Sequence, residues 1–342
     1  MCKKVLALIL CGLLTLGCFA GCGEKPAAPE TTEATVRKPT QSPEEAKVLK
    51  VLTLGHSLAV DAAHMLNLVA HAEGYKEMRI GTLYYSGCPL YKHVEFLTND
   101  SREYNLYVSS TLTPNEPPQI MNDVTMGEAI KFDYWDIIVM QGGVFEIAAA
   151  DTYKIGHIQT IQKYVNDHKL NPSAEFVWNM AWAPPVDDTL RNMYTYSPNS
   201  YINNYAQYGH DRAKMYNSIA ACVKDYILTD DTFVNMIPSG TVMENALSSY
   251  LEEKDIHRDY VHATDLTRLM VAYTWYCTLT GVEQLEEIKL DTVPKAFFKS
   301  NQLPVDWTLT DGEKALILEC VNNALKNPLQ MTQSQYTEAP AA

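Results

Sequence analysis

The sequence predicts a single doubly wound α/β domain over residues 47–326, and three observations predict it. Short β-branched and aliphatic runs recur along the chain, each ending in a glycine- or proline-marked loop. Segments of helical period separate these runs, with no internal repeat and no second domain in view. The two clearest runs, VLKVLTL before Gly55 and DIIVM before Gln141, are nearly apolar throughout, as strands buried on both faces are.

The N-terminus stands outside that domain. Lys3 and Lys4 precede an apolar run from Val5 to Leu16, too short to span a bilayer and typical of a secretory signal over residues 1–21. Phe19-Ala20-Gly21-Cys22 looks like a lipobox, which makes Cys22 the acylated first residue of a bacterial lipoprotein. Cys18 is the competing position and plain secretory cleavage the competing process. Residues 22–46 are rich in Pro, Thr, Glu and Ala without apolar period, so they read as a disordered tether with ends roughly 25–30 Å apart. The expected location is the outer face of the bacterial cytoplasmic membrane, with the membrane as a partner through the lipid. The chain carries a net charge of −14, and loss of Lys3 and Lys4 takes it to −16. Such acidity argues against nucleic acid and anionic lipid as partners, but not against neutral sugars or acyl esters.

The folded part opens with a strand from Val48 to Leu54, a turn at Gly55-His56-Ser57, and a helix from about Val60 to Val69. A second strand runs from Met78 to Tyr84. Residues 99–130 are polar and read as a short hairpin or an irregular insertion. Strands follow at 136–140, 175–180 and 233–237, with helices over 157–165, 212–227, 266–279 and 312–325. The tyrosine-rich stretch 186–210 is a loop of a length usually kept for function. Residues 327–342 read as a disordered tail. Cys88, Cys222, Cys277 and Cys320 show no metal spacing, and the sequence leaves their disulfide state open.

Ser57 sits where α/β proteins place their sites, at the C-terminal end of a central strand and ahead of a helix. Two readings stand for it, a nucleophile or a helix cap. A nucleophilic serine needs a base and an orienting acid. Most of the nine histidines have no helpful neighbour, whereas His262 sits in Asp259-Tyr260-Val261-His262, just before a helix and at a spacing that lets the carboxylate reach its ring. The order Ser, Asp, His suits an α/β hydrolase.

These residues resemble the SGNH (GDSL-like) hydrolase superfamily, and within it a bacterial lipoprotein branch known as a domain of unknown function (DUF4886-like). The resemblance rests on Gly55-His56-Ser57, Gly87-Cys88-Pro89-Leu90-Tyr91-Lys92-His93, Gln141, Ala181-Trp182-Ala183, Pro238-Ser239-Gly240-Thr241 and Arg258 to Arg268, in order over residues 48–280. It implies a flavodoxin-like parallel sheet and a serine esterase without metal or organic cofactor. Ser57, Asp259 and His262 are then catalytic, with an oxyanion hole from Ser57 N–H, Gly87 N–H and Gln141. Gln141 departs from the superfamily's asparagine, and His56 from its usual Asp or Asn. His56, His93 and Trp182 are candidate pocket residues, with packing as the competing role. The implied substrates are small-molecule or glycan esters, foremost O-acetyl groups on carbohydrate. The rivals are a non-catalytic glycan- or ligand-binding lipoprotein on the same fold, and a lipase-like acyl hydrolase.

Overall fold

The computed structural model describes residues 48–144, 146–186, 208, 211–298 and 305–339. The signal sequence, Cys22, the tether and nearly all of the tyrosine-rich loop lie outside the described residues. The first half alternates β1 (Leu49–Gly55), α1 (Ser57–Ala63), α2 (Leu66–Ala72), β2 (Met78–Tyr84) and α3 (Leu90–Asn99). It continues with β3 (Tyr104–Ser110), β4 (Gln119–Val124), α4 (Met126–Lys131), β5 (Ile137–Met140), α5 (Ala150–Lys154), α6 (His157–His168) and β6 (Glu175–Asn179). The second half holds α7 (Arg212–Cys222), β7 (Phe233–Ile237), α8 (Ser239–Leu247), α9 (Glu253–Ile256) and α10 (Asp265–Thr280). A two-stranded ribbon of β8 (Thr292–Val293) and β9 (Trp307–Thr308) precedes α11 (Asp311–Lys326).

The seven-stranded sheet has the order β4-β3-β2-β1-β5-β6-β7. Five strands, β2-β1-β5-β6-β7, are parallel, as the apolar runs require. The expectation of a wholly parallel sheet is corrected by β3 and β4, which pair antiparallel at one edge. They occupy the polar stretch 99–130. A half-exposed hairpin needs only Tyr104 and Leu106 facing the core, so no continuous apolar run announced it.

The helices touch one another in two sets, α1, α2 and α8 to α11 in one, and α3 to α6 in the other. Right-handed crossovers from β1 outward in both directions put such sets on opposite faces of a sheet. Helix α10 is buried along nearly its whole length, and its buried Thr274, Thr278 and Thr280 hydroxyls donate to carbonyls one turn back in the same helix.

Residues 328–339 correct a second expectation, because they are not a free tail. Thr332 N–H donates to Asn245 Oδ1 at 2.7 Å, Gln335 N–H to Glu319 Oε1 at 2.9 Å, and Tyr250 N–H to Tyr336 O at 2.9 Å. The strap is held by polar side chains of α8 and α11 satisfying its backbone, which leaves no apolar period in the sequence. The four cysteines of the described residues are buried and free.

Candidate functional site

The parallel strands end side by side, so the residues that follow them meet. Gly55 pairs with Tyr84 of β2, and Leu54 with Met140 of β5. The segments that carry Ser57, Gly87 and Gln141 thus follow three adjacent strands, β1, β2 and β5. Helix α1 starts at Ser57, three residues before the apolar period begins, because His56 caps it. His56 Nδ1 accepts from Leu58 N–H at 3.3 Å, and its Nε2–H donates to Gly142 O at 3.0 Å. The capping role is thus held by His56, which leaves the Ser57 hydroxyl out of it. Ser57 and Gly87 are partly exposed. Gly87 takes φ +61°, a conformation that favours glycine. Neither its N–H nor that of Ser57 meets a hydrogen-bond acceptor among the described residues.

Residues 257–263 form a closed loop. His257 bridges Ala263, and Arg258 N–H donates to His262 O at 2.9 Å. Inside it, Asp259 Oδ1 accepts from Val261 N–H at 3.0 Å and His262 N–H at 2.8 Å. The His262 ring sets Nδ1 at 2.8 Å from Asp259 Oδ2, so Nδ1–H donates, and Nε2 meets no hydrogen-bond partner among the described residues. Burial works to raise the Asp259 carboxyl, but these hydrogen bonds from His262 and the backbone hold it below the usual carboxylate range.

Asp61 ties this loop to α1. Its carboxylate accepts from Ala263 N–H at 3.2 Å, from Arg258 at 3.1 and 3.2 Å, and from the Arg268 guanidinium at 2.7 Å. Arg258 also donates to Ala263 O. Ser57 and Asp61 are four residues apart, hence on one face of the helix. The backbone N–H beside His262 is thereby fastened one turn from Ser57. Sequence reading singled out Arg258 and Arg268 but missed Asp61, although its i+4 spacing from Ser57 was available as a signal.

The three candidate pocket residues lie behind this surface. Trp182 is wholly buried, and its Nε1–H donates to Val261 O at 2.7 Å, bracing the Asp259–His262 loop. His93 is on the buried face of α3, with Nδ1 at 2.8 Å from Tyr104 Oη and the rings stacked. His56 is buried as well. A cavity of about 700 Å³ lies elsewhere, between β7, the C-terminal end of α10 and α11, and holds none of these residues.

Burial pushes His56 down from 6.5 to about 4 against the opposing pull of its Gly142 hydrogen bond. Burial, then the nearby His56, takes His93 to about 3, and burial with the Arg212 charge holds His257 well below 6.5. The unfolded chain takes up these protons below pH 6.5, while the folded chain does so only below the lowered values. Stability should therefore fall as pH drops through that window, by about 3 kcal/mol for His56 alone. Chemical denaturation at stepped pH checks this, and His93→Gln should flatten the slope. A stability flat between pH 6.5 and 4 would contradict it.

The fold and site together define an α/β protein with a mixed sheet and its polar residues gathered at the parallel strand ends. The chain belongs to the DUF4886 family, a domain of unknown function, whose model matches residues 50–299. It is similar to the crystal structure, at 1.50 Å, of a DUF4886 family protein from Bacteroides uniformis ATCC 8492. That match has a TM-score of 0.67 at 22% identity and covers 85% of this chain and 100% of that one. A weaker likeness, TM-score 0.39 at 16% identity, covers 68% of this chain and 99% of a protein from Slackia heliotrinireducens named provisionally as an SGNH hydrolase. No curated protein matches the chain. Among the described residues no helix is long and apolar enough to cross a membrane.

Proposed function

We propose that the chain is a serine carboxyl-ester hydrolase of the SGNH type, lipid-anchored through Cys22, with O-acetyl groups on carbohydrate as its leading substrates. The observation that carries this reading is the Asp259–His262 pair, joined at 2.8 Å through Nδ1, with Nε2 unpartnered among the described residues, and fastened through Asp61 to the helix that begins at Ser57. Ser57 Oγ attacks the ester carbonyl carbon as its proton passes to His262 Nε2, and Asp259 stabilises the imidazolium. The carbonyl electron pair moves onto oxygen, which accepts from Ser57 N–H, Gly87 N–H and Gln141 Nε2. Collapse expels the alcohol with the proton from His262, and water then releases the acid by the same route. The carbohydrate portion rests on the family resemblance.

A second reading is a non-catalytic protein that binds a glycan or small ligand at the same strand ends. The comparisons taken alone favour it, since they give a family of unknown function and no catalytic assignment. The structure offers one point for it, because no hydrogen bond joins Ser57 to His262 among the described residues. A chain-length series of chromogenic esters with fluorophosphonate labelling separates the readings. The hydrolase should cleave acetyl esters and take the label at Ser57, and Ser57→Ala should abolish both. Long-chain preference would indicate a lipase. Neither turnover nor label would leave the binding protein.

A further inference from the structure

A chain of buried hydrogen bonds crosses the strand ends behind Gln141. Trp275 Nε1–H on α10 donates to Ser239 Oγ at 3.0 Å. Ser239, the first residue of α8, donates its hydroxyl to Asn179 Oδ1 at 2.6 Å. Asn179, the last residue of β6, donates Nδ2–H to Gln141 Oε1 at 2.8 Å. All four side chains are essentially without solvent exposure. Gln141 Nε2, at the far end, is buried and meets no acceptor among the described residues. It lies beside β1, since a Cβ on Gly55 would come within 3.0 Å of it.

The chain has a direction, and its origin is chemical. An indole N–H can only donate, so Trp275 fills one lone pair of Ser239 Oγ. The hydroxyl proton then needs an acceptor, and Asn179 supplies it only through Oδ1. That turns the Asn179 amide nitrogen toward Gln141, which must answer with Oε1. Turning Gln141 alone would set two NH2 groups face to face. Turning both amides would strand the Ser239 proton in the core, an unmade hydrogen bond of the costly kind. A free glutamine could present either end of its amide, whereas this one can present only its donor.

We propose that Asn179, Ser239 and Trp275 are positioning residues that lock the Gln141 carboxamide with Nε2–H2 facing the strand-end site. The site thereby selects a ligand oxygen that accepts without donating, such as a carbonyl, carboxylate or oxyanion. This rests on the hydrolase reading only for its kinetic consequence. The lock also answers the departure at Gln141, because a longer arm held by Asn179 loses the freedom that would blunt it as a donor.

The test uses Asn179→Asp and Ser239→Ala in the full chain, with folding followed by circular dichroism. In Asn179→Asp an ionised carboxylate accepts from both neighbours, so Gln141 must reverse and offer Oε1. At alkaline pH, where that carboxylate is ionised, turnover of this variant on an acetyl ester should fall about 10²–10³-fold, as for loss of an oxyanion donor, with KM little changed. Burial favours the neutral acid, whose hydroxyl donates to Gln141 as the asparagine did. The ratio of mutant to wild-type turnover should therefore recover as pH falls, which a merely structural role would not produce. Ser239→Ala should lower turnover by about tenfold and, independently of turnover, shift the Gln141 and Asn179 side-chain amide signals in ¹⁵N spectra. Should Asn179→Asp not fold, the Ser239→Ala spectra decide alone. Wild-type turnover with unchanged kinetics and amide signals in Ser239→Ala would overturn the lock and leave the hydrolase standing. A wild type without turnover whose amide signals still respond would remove the hydrolase and leave the lock.

Discussion

Asp61→Ala is expected to destabilise the fold by about 3–5 kcal/mol, the usual cost of removing one partner from a buried ion pair. Asp61 is 1% exposed and Arg268 not at all, so the substitution strands a guanidinium with only Asp265, at 2.9 Å, to answer it. It also removes the acceptor of Ala263 N–H and the anchor of Arg258, which frees the Asp259–His262 loop from α1. Urea denaturation measures the loss. A change below about 1 kcal/mol would mean that the cluster is worth no more than an exposed pair.

His262→Ala is expected to lower ester turnover by about 10⁴–10⁶-fold, and Asp259→Asn by about 10⁴-fold, as for the members of other triads. The asparagine is the sharper test. Its Oδ1 can still accept from Val261 and His262 N–H, so the loop should keep its shape. Its amide nitrogen, however, meets His262 Nδ1 as a donor, which drives the ring proton to Nε2 and removes the base. Stopped-flow or steady-state assays with the fold checked by thermal melting read this out. Undiminished turnover in Asp259→Asn would dismiss the triad. If the wild type has no turnover, the binding reading stands, and the same substitution should alter ligand affinity alone.

The five parallel strands, the turn at Ser57 and the Asp259–His262 pair were legible in the sequence because each is encoded locally. Apolar runs mark strands buried on both faces, and a three-residue spacing lets a carboxylate reach an imidazole within one loop. What lay beyond reach is carried by contacts between distant segments. The β3–β4 hairpin is polar because only one of its faces meets the core, so the sequence left it open between a hairpin and an irregular insertion, and the 328–339 strap, held by side chains of two helices, leaves no periodic trace. Asp61 reaches across 202 positions to Ala263, and the amide of Gln141 is oriented through Asn179 and Ser239 by an indole on α10. A sequence names donors and acceptors one residue at a time. Which end of an amide faces the site is decided only once neighbours from three elements are packed around it, because a buried hydrogen bond left unmade costs more than any local preference can return.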